Sequence, residues 1–123
     1  KHIEPGESVS YGCTFTASKS TKVATIAVGY GDGYPRALSN KGRVLIHGQS
    51  CPIIGRVCMD QFMVDASGVE NVQPGETAVL IGRQGQAFIG ADELARTIGT
   101  VTYDILLSPG SRIPKRYTYQ PEE

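Results

Sequence analysis

Between Ser8 and Ala17 apolar and polar residues alternate, with Val9, Tyr11, Cys13, Phe15 and Ala17 on one side and Ser10, Gly12, Thr14 and Thr16 on the other. A period of two is what a strand with one buried face requires, because successive side chains point to opposite faces of the pleat. The pattern predicts one strand over 8–17. A second is expected at 22–28, where Val23, Thr25, Ile26 and Val28 supply β-branched side chains suited to a pleated surface. The stretch from Gly29 to Asn40 carries Gly29, Gly31, Gly33, Pro35 and Asp32, a composition that predicts a long ordered loop. Shorter apolar runs predict strands at 43–47, 52–57, 61–65, 78–81, 87–89 and 101–107. Tight turns are expected at His47-Gly48-Gln49 and Arg83-Gln84-Gly85, where glycine can take positive φ.

The periodicity changes once. Over Ala91–Ile98, Leu94 and Ile98 share a helical face, Asp92 and Glu93 stand in the first turn, and Gly99 fits the residue just past the end. Many short strands and one helix predict a mainly β fold, a small antiparallel β-barrel with one short helix.

Composition narrows the function classes. The chain has 123 residues, enough for one domain with its own core, and Lys plus Arg balance Asp plus Glu at 12 each. That balance argues against a nucleic-acid or anionic-membrane partner, either of which favours a basic excess; Arg112, Lys115 and Arg116 form only a local patch. No apolar run approaches the ~20 residues of a membrane-spanning helix, and no secretory leader pattern opens the chain. Cys13, Cys51 and Cys58 cannot all pair within one chain, no Cys-x-x-Cys occurs, and His2 and His47 stand alone. No metal site is expected, and a reducing cytoplasm is the expected compartment. The chain opens at Lys1, within sequence that reads as structured, so a fragment of a longer protein is expected.

Three stretches hold more polar and aromatic residues than a plain barrel needs: Glu7–Ala17, with Ser-Tyr-Gly-Cys-Thr-Phe over 10–15; Ala27–Arg36, with Val-Gly-Tyr-Gly-Asp-Gly over 28–33; and Gly55–Asp65, opening on Gly-Arg-Val-Cys-Met-Asp-Gln. A fourth, Thr102-Tyr-Asp-Ile-Leu106, leads into Ser111-Arg-Ile-Pro-Lys115. In this order and spacing they resemble the C-terminal β domain of the alanine racemases, pyridoxal-phosphate enzymes of fold type III, over about residues 3–119. The resemblance implies a parent enzyme in which a (β/α)₈ barrel, expected outside this chain, carries the cofactor lysine. It also implies a head-to-tail homodimer, each site combining the barrel of one subunit with the β domain of the other. The isolated domain is then expected to be inactive.

On its alternation alone Tyr11 would be a core aromatic beside Val9, Cys13 and Phe15. The resemblance implies instead that it is the catalytic base facing the carbon opposite the lysine. Inverting a stereocentre needs one proton removed from one face and another delivered to the other. Tyr30 would line a narrow entrance with Arg36 further out, and the Met59 main-chain N–H would hold the substrate carboxylate, with Cys58 and Asp60 beside it. Asp32 reads as a turn residue accepting backbone N–H bonds. Gly31 stands where the family more often has alanine, a change expected to matter little. Ser111 stands where several members carry a tyrosine that touches the cofactor phosphate, so the site would be roomier there. The expected activity is interconversion of L- and D-alanine, supplying D-alanine for peptidoglycan. The alternatives are a serine/alanine racemase, a related pyridoxal-phosphate decarboxylase, whose motif centres on a cysteine and lacks the Ser-Tyr-Gly strand, or a non-catalytic β-barrel dimerisation module.

Overall fold

The structure, a computed structural model, describes residues 1–9, 15–102 and 105. In chain order the elements are β1 (His2–Ile3), β2 (Ser8–Val9), β3 (Phe15–Thr16), β4 (Thr21–Ile26), β5 (Arg43–Ile46), β6 (Gln49–Ile54), β7 (Phe62–Asp65), β8 (Ala78–Val79), β9 (Gly82–Gln84), β10 (Ala87–Ile89) and α1 (Ala91–Ile98). Six strands form one antiparallel sheet in the order β1-β4-β7-β6-β5-β8, and β2–β3 and β9–β10 form separate antiparallel pairs. The protein is mainly β with one short helix, as the pattern predicts.

The strand expected over 8–17 is divided. Ser8 lies opposite Thr16 and Val9 opposite Phe15, so the two ends of that stretch run antiparallel to one another. Directly opposed residues of an antiparallel pair share a face, so alternation is preserved through a reversal of direction and does not report it. The stretch 101–107 also departs from its expected strand, because Thr102 and Ile105 have helical geometry. A short apolar run is equally compatible with a buried helical segment. The turn expected at Arg83-Gln84-Gly85 is shifted along the chain, since Arg83 and Gln84 lie in β9, paired with β10, and the turn falls at Gly85-Gln86, with Gly85 at φ 63°. His47 and Gly48 both take positive φ, 52° and 72°, between Ile46 and its partner Gln49. This is the left-handed pair of a two-residue hairpin whose twist matches its strands. Strand β6 accordingly starts three residues earlier than the apolar run suggests, at Gln49 rather than Pro52.

The main core includes Val44, Leu45, Val57, Phe62, Val64 and Ile89, joined by Leu38, Leu94 and Ala95. Helix α1 ends at Gly99, left-handed at φ 76°, where the missing Cβ removes the usual penalty. It packs on a 3₁₀ turn at Arg36–Leu38 and is tied to β5 by a two-pronged Arg43–Glu93 ion pair at 2.8 and 2.9 Å, a geometry that matches guanidinium to carboxylate. A second core gathers Ile3, Val9, Ala17, Val23 and Ile54, with Phe15 and Met63 half-buried against it. It fastens the β2–β3 pair to β4 and β6.

One buried group is left over. Tyr34 is 6% exposed, its ring stacked on Phe62 with centroids 4.8 Å apart and planes 7° from parallel, and its hydroxyl has no hydrogen-bond partner among the described residues. Burial, and then the nearby Glu93 carboxylate, push this phenol above its ordinary value. An orphan hydroxyl keeps its desolvation penalty without return. Tyr34→Phe, which retains the stacked ring, should therefore raise unfolding stability by about 1 kcal/mol. A phenol pKa raised on folding supplies stability that is intact below about pH 10, the unfolded value, and lost as pH rises past it. Denaturant unfolding at neutral and alkaline pH should show that loss in the parent and not in Tyr34→Phe.

Candidate functional site

Strands β4 and β6 both pair antiparallel with β7, so they run the same way and end at the same edge of the sheet, where β7 begins. The loop following β4 and the connection from β6 to β7 therefore meet. These are the second and third motifs of the sequence, brought together by strand topology.

The loop after β4 is folded tightly on itself. The Gly29 N–H donates to Asp32 Oδ2 at 3.1 Å and the Asp32 N–H donates back to the Gly29 carbonyl at 2.9 Å, with Asp32 buried at 4% exposure. Asp32 is the turn residue its position suggests. The loop then lies against the connection through two backbone bonds: the Tyr30 N–H donates to the Cys58 carbonyl at 2.9 Å and the Gly31 N–H to the Met59 carbonyl at 2.8 Å. This approach leaves no room for side chains. A Cβ on Gly29 would stand 2.2 Å from the Cys58 carbonyl oxygen and 2.4 Å from the Met59 carbonyl carbon. At Gly31 a Cβ would stand 2.9 Å from the Met59 oxygen and 3.0 Å from its Cγ. The expectation that Gly31 matters little is thus corrected: an alanine there has to displace Met59.

Tyr30, Arg36, Cys58, Met59 and Asp60, all singled out in the sequence, line one open hollow of about 370 Å³. Arg56 and Val57 complete the lining. Met59 is 61% exposed and Tyr30 45%. No hydrogen-bond partner for the Met59 N–H is found among the described residues. The Arg36 guanidinium sits 5.6 Å from the centre of the Tyr30 ring, within range of a cation–π contact. Asp60 is exposed on the rim; the connection closes on itself through the Cys58 N–H donating to the Gln61 carbonyl at 2.9 Å. Arg56 is the lining cation that sequence reasoning passed over. Its signal was present, since it falls inside the Gly55–Gln61 motif.

Tyr11 and Ser111 lie outside the described residues. Val9, two positions before Tyr11 in the sequence, is buried against Ile54, which leads directly into Gly55–Met59. Another hollow, of about 520 Å³, borders β4 and residues 72–78 and holds none of the predicted site residues. Lys22, on its wall, donates its ammonium to the Val69 carbonyl. Cys51 is buried and free, and burial pushes its thiol up; Cys58 is half-buried. Among the described residues no group of His, Cys, Asp or Glu side chains could hold a metal ion, and no helix is long and apolar enough to cross a membrane.

Fold and hollow define a class: a β domain that presents, at one end of its sheet, an exposed backbone amide flanked by two guanidinium groups and a phenol. The chain belongs to the alanine racemase C-terminal domain family, whose model matches residues 1–117. It is 45% identical over 117 residues to the alanine racemase of Halothermothrix orenii, covering 95% of this chain and 31% of that protein. The biosynthetic alanine racemase of Pseudomonas aeruginosa superposes with a TM-score of 0.87 at 36% identity, covering 97% of this chain and 32% of that one. The alanine racemase of Bartonella henselae, solved with covalently bound pyridoxal phosphate, superposes at 0.88 with 34% identity, covering 96% and 32%. The chain spans about a third of the length of these relatives.

Proposed function

We propose that this chain is the β domain of a cytoplasmic, pyridoxal-phosphate-dependent alanine racemase that supplies D-alanine for peptidoglycan. In this proposal the domain completes the active site of a second subunit, and an N-terminal (β/α)₈ barrel supplies the cofactor lysine. The observation that supports it most directly is the Met59 amide, held by its neighbours at the surface of a cation-lined hollow with its N–H directed to no described partner. A backbone donor fixed by the fold, beside guanidinium groups, suits the carboxylate of a small amino acid.

The lining fits this division of labour. It offers an amide, two guanidinium groups and a phenol, all suited to an anion. Ser111 is proposed to donate a hydrogen bond towards the cofactor phosphate. Bound pyridoxal phosphate would supply the electron sink that acidifies the substrate Cα–H. The chain's own residues do the rest. The Met59 N–H orients the carboxylate, and Arg36 and Tyr30 narrow the entrance and limit water. Tyr11, with its phenolic oxygen, takes or returns the proton on one face of Cα. A phenol ordinarily titrates near pH ~10, so it needs neighbouring positive charge to act near neutrality.

The full-length protein, supplied with pyridoxal phosphate, should convert either enantiomer of alanine to the racemate, and failure to do so would overturn the proposal. Selectivity is tested at Ser111. The smaller side chain leaves space for a substrate hydroxymethyl group, so Ser111→Tyr should lower serine racemisation relative to alanine by roughly tenfold, the scale set by steric discrimination of about one small group. An unchanged serine-to-alanine ratio would remove the case for a broader substrate range.

A further inference from the structure

The segment 55–59 is gripped at two places by the same loop. One grip is the pair of backbone bonds from Tyr30 and Gly31. The other is built from side chains that the proposed chemistry does not use. The Gly55 N–H donates to Asn40 Oδ1 at 2.7 Å, and the Asn40 N–H donates back to the Gly55 carbonyl at 3.0 Å. The Val57 N–H donates to Ser39 Oγ at 2.8 Å, and that hydroxyl donates to the Arg36 carbonyl at 2.6 Å. Asn40 sits at φ 56°, a left-handed conformation that asparagine tolerates better than most residues. Gly55 is left-handed as well, at φ 78°. These side-chain bonds act with the backbone bonds from Tyr30, Gly31 and Asn40 to set the relative placement of the two segments.

We propose that Ser39 and Asn40 are positioning residues that clamp residues 55–57 to the Arg36–Leu38 turn, and so hold the segment that carries the Met59 amide in place for a substrate carboxylate. The proposal rests on the racemase reading above. The hydroxyl of Ser39 is the hinge of the device, because it holds the Arg36 main chain with its proton and the Val57 main chain with its lone pair. Asn40 exchanges two bonds with Gly55 and stops the start of the connection from sliding. A carboxylate held by the Met59 amide feels any shift of the segment that carries it. It is gripped alike before and during proton transfer, so loosening the clamp weakens binding more than it slows chemistry.

The test uses the full-length enzyme and three variants. Asn40→Gly keeps the left-handed backbone and removes the side chain with its Oδ1 acceptor; Ser39→Ala removes the hydroxyl; Asn40→Asp retains an acceptor oxygen at the same place. Asn40→Gly and Ser39→Ala should each raise KM for alanine roughly three- to tenfold with kcat within about twofold, the weight of one net hydrogen bond. Asn40→Asp should restore KM to within about twofold of the parent. A fall in kcat or in thermal midpoint with KM unchanged in Asn40→Gly and Ser39→Ala would mean the pair is structural only and would overturn the clamp, as would a KM in Asn40→Asp no better than in Asn40→Gly. Loss of racemisation in the parent protein itself would instead remove the functional reading on which the clamp rests.

Discussion

Tyr11→Phe in the full-length enzyme should lower alanine racemisation by about 10²- to 10⁴-fold, the range contributed by a positioned general base or acid. The substitution removes one oxygen and keeps the ring, so the protein should fold and bind cofactor as before. The loss should appear in kcat and kcat/KM alike, because the phenol acts on a proton and not on the carboxylate. A variant with more than about a tenth of parental kcat would show that some other group serves that face of the substrate. A fully active Tyr11→Phe enzyme is also what a decarboxylase would give.

The second large effect is expected at a position with no functional group. Gly29→Ala places a methyl carbon 2.2 Å from the Cys58 carbonyl oxygen and 2.4 Å from the Met59 carbonyl carbon, and both of those atoms are backbone. No rotamer relieves the contact, so the connection 55–61 has to move away from the loop. The Tyr30-to-Cys58 and Gly31-to-Met59 bonds at 2.9 and 2.8 Å are then stretched together. Overpacking of this kind costs about 1–3 kcal/mol of stability. The larger consequence is functional, since a shift of about 1 Å at a substrate-holding donor is worth on the order of 10²-fold in kcat/KM, carried mainly by KM because the carboxylate is held alike before and during proton transfer. Gly31→Ala meets the same segment less closely and partly through the flexible Met59 side chain, so it should fall between Gly29→Ala and the parent. Steady-state kinetics with thermal midpoints on the three proteins checks the order. Equal activity in all three would mean the Met59 amide does not hold the substrate.

Much of the site was legible because its residues are chemically marked. Tyr30, Arg36, Cys58, Met59 and Asp60 stand in two motifs dense in glycine and polar groups, and the structure brings all five to one hollow. Helix α1 was readable to the residue, since Gly99 and the Leu94–Ile98 spacing are local signals. What escaped depends on relations between distant segments. Alternation across 8–17 does not report that Val9 faces Phe15 across an antiparallel pair, because both arms keep the same parity. The closeness of Gly29 to Cys58 is a tertiary contact, and in sequence it looks like ordinary loop glycine. Ser39 and Asn40 read as loop polar residues until the Gly55 and Val57 amides are seen to end on them. The strand expected at 101–107 failed for a local reason: Thr102 and Ile105 are helical, and a short run of apolar residues fits either state.

The most direct measurement is to incubate the full-length protein, loaded with pyridoxal phosphate, with L-alanine in heavy water and to follow both the handedness of the alanine and the isotope at its α-carbon. Two opposed proton-transfer groups, one of them Tyr11, predict that D-alanine accumulates with solvent deuterium at Cα while early residual L-alanine stays largely protiated. Deuterium entering L-alanine with no D-alanine formed, or release of the decarboxylated amine, would contradict the account.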